Sequence, residues 1–293
     1  MPHGKFSLKT VVAALLVSAL GLCALPAQAT TLAVSEKGQA LGALLDRFDV
    51  EKRWLRIHGE QPRFLVNWQT GLAEGNSGAQ PDCHKLEERA KLNNTFCSSF
   101  VSAVVRKVGL KLAGKPIPFL YPYNGDTKKF GEHGQCAPRD YLSNYLQAWL
   151  RGEEVKLPKK WKYTAPANEG WKAILTTEKR SALERAQRLA NRGHLVIASY
   201  AFRGTERKPG HIAVLRPAEK TVELVEKEGP QILNVGWKNY PSVSFRTAFE
   251  HHSCEDGKFK AYCGEEEDGT PKGAWESMKS RNPKVLFFYY PLQ

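Results

Sequence analysis

The chain has 293 residues, 43 Lys and Arg against 30 Asp and Glu, a formal net charge of +13, and six cysteines. With 42% hydrophobic and 25% charged residues it is too apolar for wholesale disorder, and its length suits one large domain or two small ones. The positive charge suits an anionic partner without naming one.

Residues 1–29 have the pattern of a secretory signal peptide. Lys5 and Lys9 form a positive n-region, Val11 to Leu25 is almost unbroken apolar sequence, and Ala27-Gln28-Ala29 offers a small-x-small cleavage site before Thr30. The apolar run of fifteen residues falls short of the roughly 20 that a spanning helix needs, so no stable membrane anchor is expected. Leu22 before Cys23 does not suit lipidation. The mature chain is expected in the periplasm or the medium. Cleavage would remove Lys5, Lys9 and Cys23, leaving 264 residues, a charge of +11, and Cys83, Cys97, Cys136, Cys254 and Cys263. In an oxidising compartment five cysteines mean two disulfides and one thiol.

Residues 38–58, with Leu41, Leu44, Leu45 and Phe48, read as helix within an N-terminal lead-in over 30–75. Cys83 follows Gln80-Pro81-Asp82 in a loop. Cys97 opens a run with apolar residues at Phe100, Val101, Val104, Val105 and Val108, the spacing of an amphipathic helix. Asn94 or Thr95 supplies an N-cap and Gly109 a stop. A thiol in that first turn is favoured as a thiolate by the helix dipole, and the unpaired N–H groups can face an oxyanion. The same position also suits a core or disulfide cysteine.

Residues 111–192 hold an aromatic loop from Phe119 to Tyr123, a Pro/Lys-rich stretch from Lys156 to Lys162, and two helices near 138–151 and 178–192. Cys136 lies here in another loop and is a natural partner for Cys83. Strands are expected near 194–200, 211–216, 221–226, 230–235 and 284–290. His211 heads the second of these, after the polar loop 201–210, and is the candidate base for a thiol. A strand-end histidine bonded to a nearby loop is the plain alternative. In the 230–235 strand, alternation puts Ile232, Asn234 and Gly236 on one face, where Asn234 could orient His211; Gln231 and Glu228 are the fallbacks. Cys254 and Cys263 bracket an Asp-Gly turn and are expected to pair, closing an elaboration over 250–280. His251, His252 and Cys254 form a metal-like trio, but no second ligand pair accompanies them, and neither metal nor cofactor is expected.

The segment Asn94-Thr95-Phe96-Cys97-Ser98-Ser99-Phe100-Val101 resembles the nucleophile motif of the CHAP and NlpC-type cell-wall amidases and peptidases. Pro209-Gly210-His211-Ile212-Ala213-Val214 resembles their histidine motif, and Asn234 falls where they carry a polar third residue. Trp68-Gln69-Thr70-Gly71 and Gly229-Pro230-Gln231-Ile232 are similar to a secreted branch of these enzymes. The match covers residues 93–110 and 193–246, under a third of the chain.

The resemblance implies one papain-like α+β domain over 30–293, with helices on one face of an antiparallel sheet of four to six strands and the nucleophile at a helix start. It implies a cysteine amidase or endopeptidase acting on peptidoglycan stem peptides. Cys97 would attack, His211 would carry the proton and Asn234 would orient His211. The Cys97 N–H, with Asn93 or Asn94, would serve the oxyanion, and Gln231 and Trp237 would line the substrate site. Trp68, Trp171 and Tyr240 are cleft or core residues. The implied partner is peptidoglycan or another anionic wall polymer, with an inhibitor or immunity protein as a second class. A module of the same fold that binds wall or glycan without chemistry is the rival reading. Nucleic acid is disfavoured, because acids interleave the basic residues, as in Glu153-Glu154-Val155-Lys156, and no zinc-finger or RRM signature appears.

Overall fold

The computed structural model describes residues 30–53, 65–67, 72–74, 97–115, 117, 143–153, 167–175, 179–201, 210–236, 238–254, 263–265, 267, 269–278, 280 and 283–292. In chain order the elements are β1 (Thr31–Leu32), α1 (Glu36–Asp46), α2 (Val50–Arg53), β2 (Leu65–Asn67), β3 (Leu72–Glu74) and α3 (Cys97–Val108). Then come α4 (Ser143–Leu150), β4 (Lys172–Ala173), α5 (Lys179–Asn191), β5 (Leu195–Tyr200), β6 (His211–Leu215), β7 (Lys220–Thr221) and α6 (Val222–Glu228). The last are β8 (Gln231–Asn234), β9 (Tyr240–Ser244), α7 (Phe245–Ala248), a 3-10 turn (Glu250–His252), α8 (Ala274–Ser277) and β10 (Val285–Tyr290).

Six strands form one antiparallel sheet in the order β4-β10-β5-β6-β8-β9. Its central strands are buried on both sides: every residue of β5 and β6 is buried. The pleat divides them between two cores. Leu195, Ile197, Ile212, Val214, Leu233 and Val235 join α1, α3 and α4 in the first core. Val196, Ala198, Tyr200, Ala213, Leu215 and Ile232 join α5, α7 and α8 in the second. The expectation of helices on one face alone is therefore corrected. The reason lies in the strand sequences, which are near-continuous apolar runs; such runs need cover on both faces.

Each helix shows why it sits where it does. On α3, Phe100, Val101, Val104, Val105 and Val108 are fully buried, each contributing roughly 1.5–3 kcal/mol relative to exposure. On α5, Ala182, Leu183, Ala186 and Ala190 face the sheet, and their small side chains let the helix lie close over Ala198 and Ala213. Gly109 does not stop the Cys97 helix. The chain continues through a π-helical turn, Gly109–Ala113, and ends at Gly114 with φ 67°. The lead-in is two helices, broken at Asp49, whose φ is +43°.

The expected strand at 221–226 is mostly helix. Thr221 Oγ1 accepts from Leu224 N and caps α6, and Val222 and Val225, three apart, are its buried pair. Only Lys220 and Thr221 are extended, pairing with β1. Strands β4 and β9 were not anticipated: β4 has two residues, and β9 contains Pro241 and lies at the sheet edge, where proline is tolerated. Thr31–Gln293 form one compact unit. Among the described residues, no helix is long and apolar enough to cross a membrane.

Candidate active site

His211 is the first residue of β6, opposite Tyr200 on β5. Alternation sends its ring to the side of Ala213 and Leu215, into the second core, and Asn234 on β8 points the same way. The two meet: His211 Nε2 and Asn234 Oδ1 are 2.7 Å apart. Asn234 Nδ2 donates to Lys238 O at 2.8 Å, which fixes the orientation of the amide. The oxygen facing His211 can only accept, so Nε2 carries the proton and the Nδ1 lone pair is left as the basic site. That Nδ1 is buried, and among the described residues it has no hydrogen-bond partner.

The ring is tightly enclosed. His252 stacks on it with centroids 5.0 Å apart and planes 19° from parallel, while Phe249 stands across it at 4.8 Å and 71°. Gly236 leaves room: a Cβ there would lie 3.3 Å from His211 Cε1. Burial lowers the imidazole pKa from 6.5 to about 4; the Asn234 bond raises it in part, and the charge of His251 lowers it further. His252 is held well below its usual value, first by burial and then by the charges of His211 and His251. Both rings are neutral at pH 7.

Cys97 is the first residue of α3, a thiol, and buried, with 2% of its surface exposed. Helix α3 packs on β6, the strand that His211 begins. Yet the Cys97 side chain belongs to the first core, on the face of the sheet opposite the His211 ring. The structure therefore pairs His211 with Asn234, and no hydrogen bond joins Cys97 to His211 Nδ1. With Nδ1 unpartnered, the thiol is not engaged by the imidazole here.

The remaining candidates divide. Asn93, Asn94 and Trp237 lie outside the described residues, as do Trp68, Cys83 and Cys136. Gln231 is taken up elsewhere: its Nε2 donates to Ser242 Oγ at 2.8 Å and its Oε1 accepts from Lys220 Nζ at 3.4 Å. It starts β8, at the opposite end from Asn234, and is not part of the His211 site. Glu228 binds Lys220 Nζ at 2.6 Å. Trp171 is buried in the first core. Cys254 and Cys263 form the expected disulfide, with Cα atoms 4.8 Å apart, so the Cys254 sulfur is spent and the metal-like trio loses a ligand.

A scan against protein-family models matched none, and searches of curated proteins and of solved structures found no match either. The site thus stands on its own geometry. Sequence reasoning missed Phe249, His252 and the Lys238 carbonyl. A signal existed for two of them: Phe245, Phe249 and His252 share a helical face by i, i+4, i+7 spacing, just before the paired cysteines.

Proposed function

We propose that the protein is a secreted or periplasmic cysteine hydrolase of papain-like design that cleaves amide bonds, with peptidoglycan stem peptides as the substrate class. The observation that carries this reading is the buried His211–Asn234 pair, whose geometry forces the Nε2–H tautomer and leaves the Nδ1 lone pair unused. A buried acceptor left without a hydrogen bond costs roughly 1–3 kcal/mol. A base kept neutral, oriented by an amide and open at the other nitrogen is what proton abstraction from a thiol requires.

In the proposed reaction Cys97 loses its proton to His211 Nδ1, and the thiolate attacks the amide carbonyl. The helix start offers backbone N–H groups to the oxyanion. His211 then returns the proton to the leaving amine, and water hydrolyses the thioester. The thiol has to reach Nδ1 for the first step, which the resting arrangement does not provide. Cys97 and His211 each begin their element and α3 lies against β6, so the proposal places the movement at the start of α3, with the His211 ring held where it is.

Cys97→Ala and His211→Ala should each abolish wall hydrolysis, read as release of muropeptides by mass spectrometry, while far-UV circular dichroism stays unchanged. Full activity in either variant would sink the reading. A binding module without chemistry is the second reading, favoured by the placement of Cys97 on the opposite face. It predicts wall binding without muropeptide release, and a thiol whose rate of alkylation does not respond to His211→Ala.

A further inference from the structure

The segment after α7 carries Phe249 and His252 together to the His211 ring. They are held as one turn, with His252 N donating to Phe249 O at 2.9 Å. The turn is anchored at its far end. Ser253 Oγ donates to Phe249 O at 3.2 Å and accepts from Trp275 N at 3.2 Å. Cys254 N donates to Glu276 Oε1 at 3.1 Å, and the disulfide to Cys263 follows directly. Phe249 and His252 thus wall the His211 ring and are held in place from Trp275 and Glu276.

A ring with one hydrogen bond can still turn about its Cβ–Cγ bond. That turn takes Nε2 off Asn234 Oδ1 and releases the tautomer which the bond had fixed. Two flat surfaces at different angles remove that freedom: His252 lies parallel and Phe249 lies across. Tyr200, the cross-strand neighbour of His211, backs His252 at 5.5 Å, and its hydroxyl is tied to Lys272 O at 2.6 Å. The stack therefore has a fixed far side.

We propose that His252 is a positioning residue for His211: its stacked ring sets the plane of the imidazole so that Nε2 stays on Asn234 and Nδ1 stays presented. The role rests on the reading of His211 as a base. The groups around the pair are Tyr200 from β5, Asn234 from β8 and His251 from the 3-10 turn; Glu250 lies beside His251 and takes Lys238 Nζ. Of these, His251 adds positive charge when protonated, and Glu250, 3.5 Å from it, offsets that charge. A second imidazole beside the first supplies a flat face without a fixed charge, which a lysine or arginine could not.

The test is long-range proton–nitrogen NMR of the histidines in the full mature chain, with His211 assigned by comparison with H211Q. The wild type should show a single Nε2–H tautomer for His211 that titrates near pH 4. In H252A the signal should become a mixture of tautomers with its midpoint moved toward 6.5, and kcat should fall about tenfold at unchanged KM. H252F keeps a flat ring and should restore the single tautomer; H252L keeps volume alone and should not. An unchanged tautomer and midpoint in H252A overturns the proposal. If H252A does not fold, identical spectra of H252F and H252L overturn it instead. These spectra are read without substrate. A wild type that cleaves no wall therefore removes the proposed function while the positioning role is still decided by the spectra.

Discussion

Two buried polar clusters lie at opposite ends of the strand pair β6 and β8, along the same core, and they differ in how fully their polar atoms are hydrogen-bonded. The first is Gln187 and Asn191 at the end of α5. Asn191 Nδ2 donates to Leu32 O and Ala218 O, and its Oδ1 accepts from Ala218 N and Gln187 Nε2. Gln187 Nε2 also donates to Arg216 O, and its Oε1 accepts from Gln231 N. Every polar atom of both amides is used. The second cluster is His211, Asn234 and His252, where Nδ1 of His211 is left over. Burial of polar groups is common to both. The first sews the segment of Leu32 and Ser35 to the body and has nothing left to react. The second keeps a lone pair in reserve at a cost in stability.

The comparison can be broken at several points. The largest effect is expected from Asn191→Leu, which strands Leu32 O, Ala218 O and Ala218 N; unfolding in urea should show a loss of about 3–5 kcal/mol with unchanged alkylation of Cys97. A loss under 1 kcal/mol would mean that the satisfied cluster is not structural.

Next is pH. His211 takes its proton near 6.5 when unfolded and only near 4 when folded. The unfolded state binds more protons in that interval, so stability is intact above it, falls as pH drops from 6.5 to 4, and falls no further from this group below 4. The total is on the order of 3 kcal/mol, and His252 acts in the same direction. H211Q should flatten the dependence of the urea midpoint between pH 7 and 4.5, whereas Asn191→Leu should leave its slope as it is.

Removing the disulfide as C254S/C263S should cost about 2–3 kcal/mol, given the short loop it closes. It should also loosen the His211 ring, read as tautomer mixing, without touching the Asn191 cluster. The smallest effect is that of Asn234→Ala on turnover, roughly ten- to hundredfold in kcat. A rate equal to wild type would leave Asn234 as a packing residue.

How much of this was written in the sequence depends on the range of the interactions involved. The helix of Cys97, the strands near 194–200, 211–216 and 284–290, and the Cys254–Cys263 bridge follow from local period and turn chemistry. So does the shared face of Ile232, Asn234 and Gly236, which makes the pairing of Asn234 with His211 legible in the sequence. The strand expected near 221–226 is mostly helix because the N-cap of Thr221 and the i, i+3 pair Val222 and Val225 outweigh the β propensity of its β-branched residues. The side of the sheet on which Cys97 packs was not legible, since it depends on which strand face meets α3. Apolar runs without alternation, such as Leu195-Val196-Ile197-Ala198, do not say which face that is. The approach of His252 to His211 spans two elements and a chain reversal, beyond any local pattern.

Strand β10 is the last of the six in sequence and yet lies inside the sheet, between β4 and β5. Six backbone partners on β5, from Leu195 to Tyr200, wait for it, and β4 has no other neighbour in the sheet. During synthesis the chain carries the bare edge of a wholly buried strand until Val285–Tyr290 has emerged, and both cores stay open that long. Folding is thus set to happen late and all at once, and the nascent protein depends on its surroundings to keep that edge from pairing with another chain.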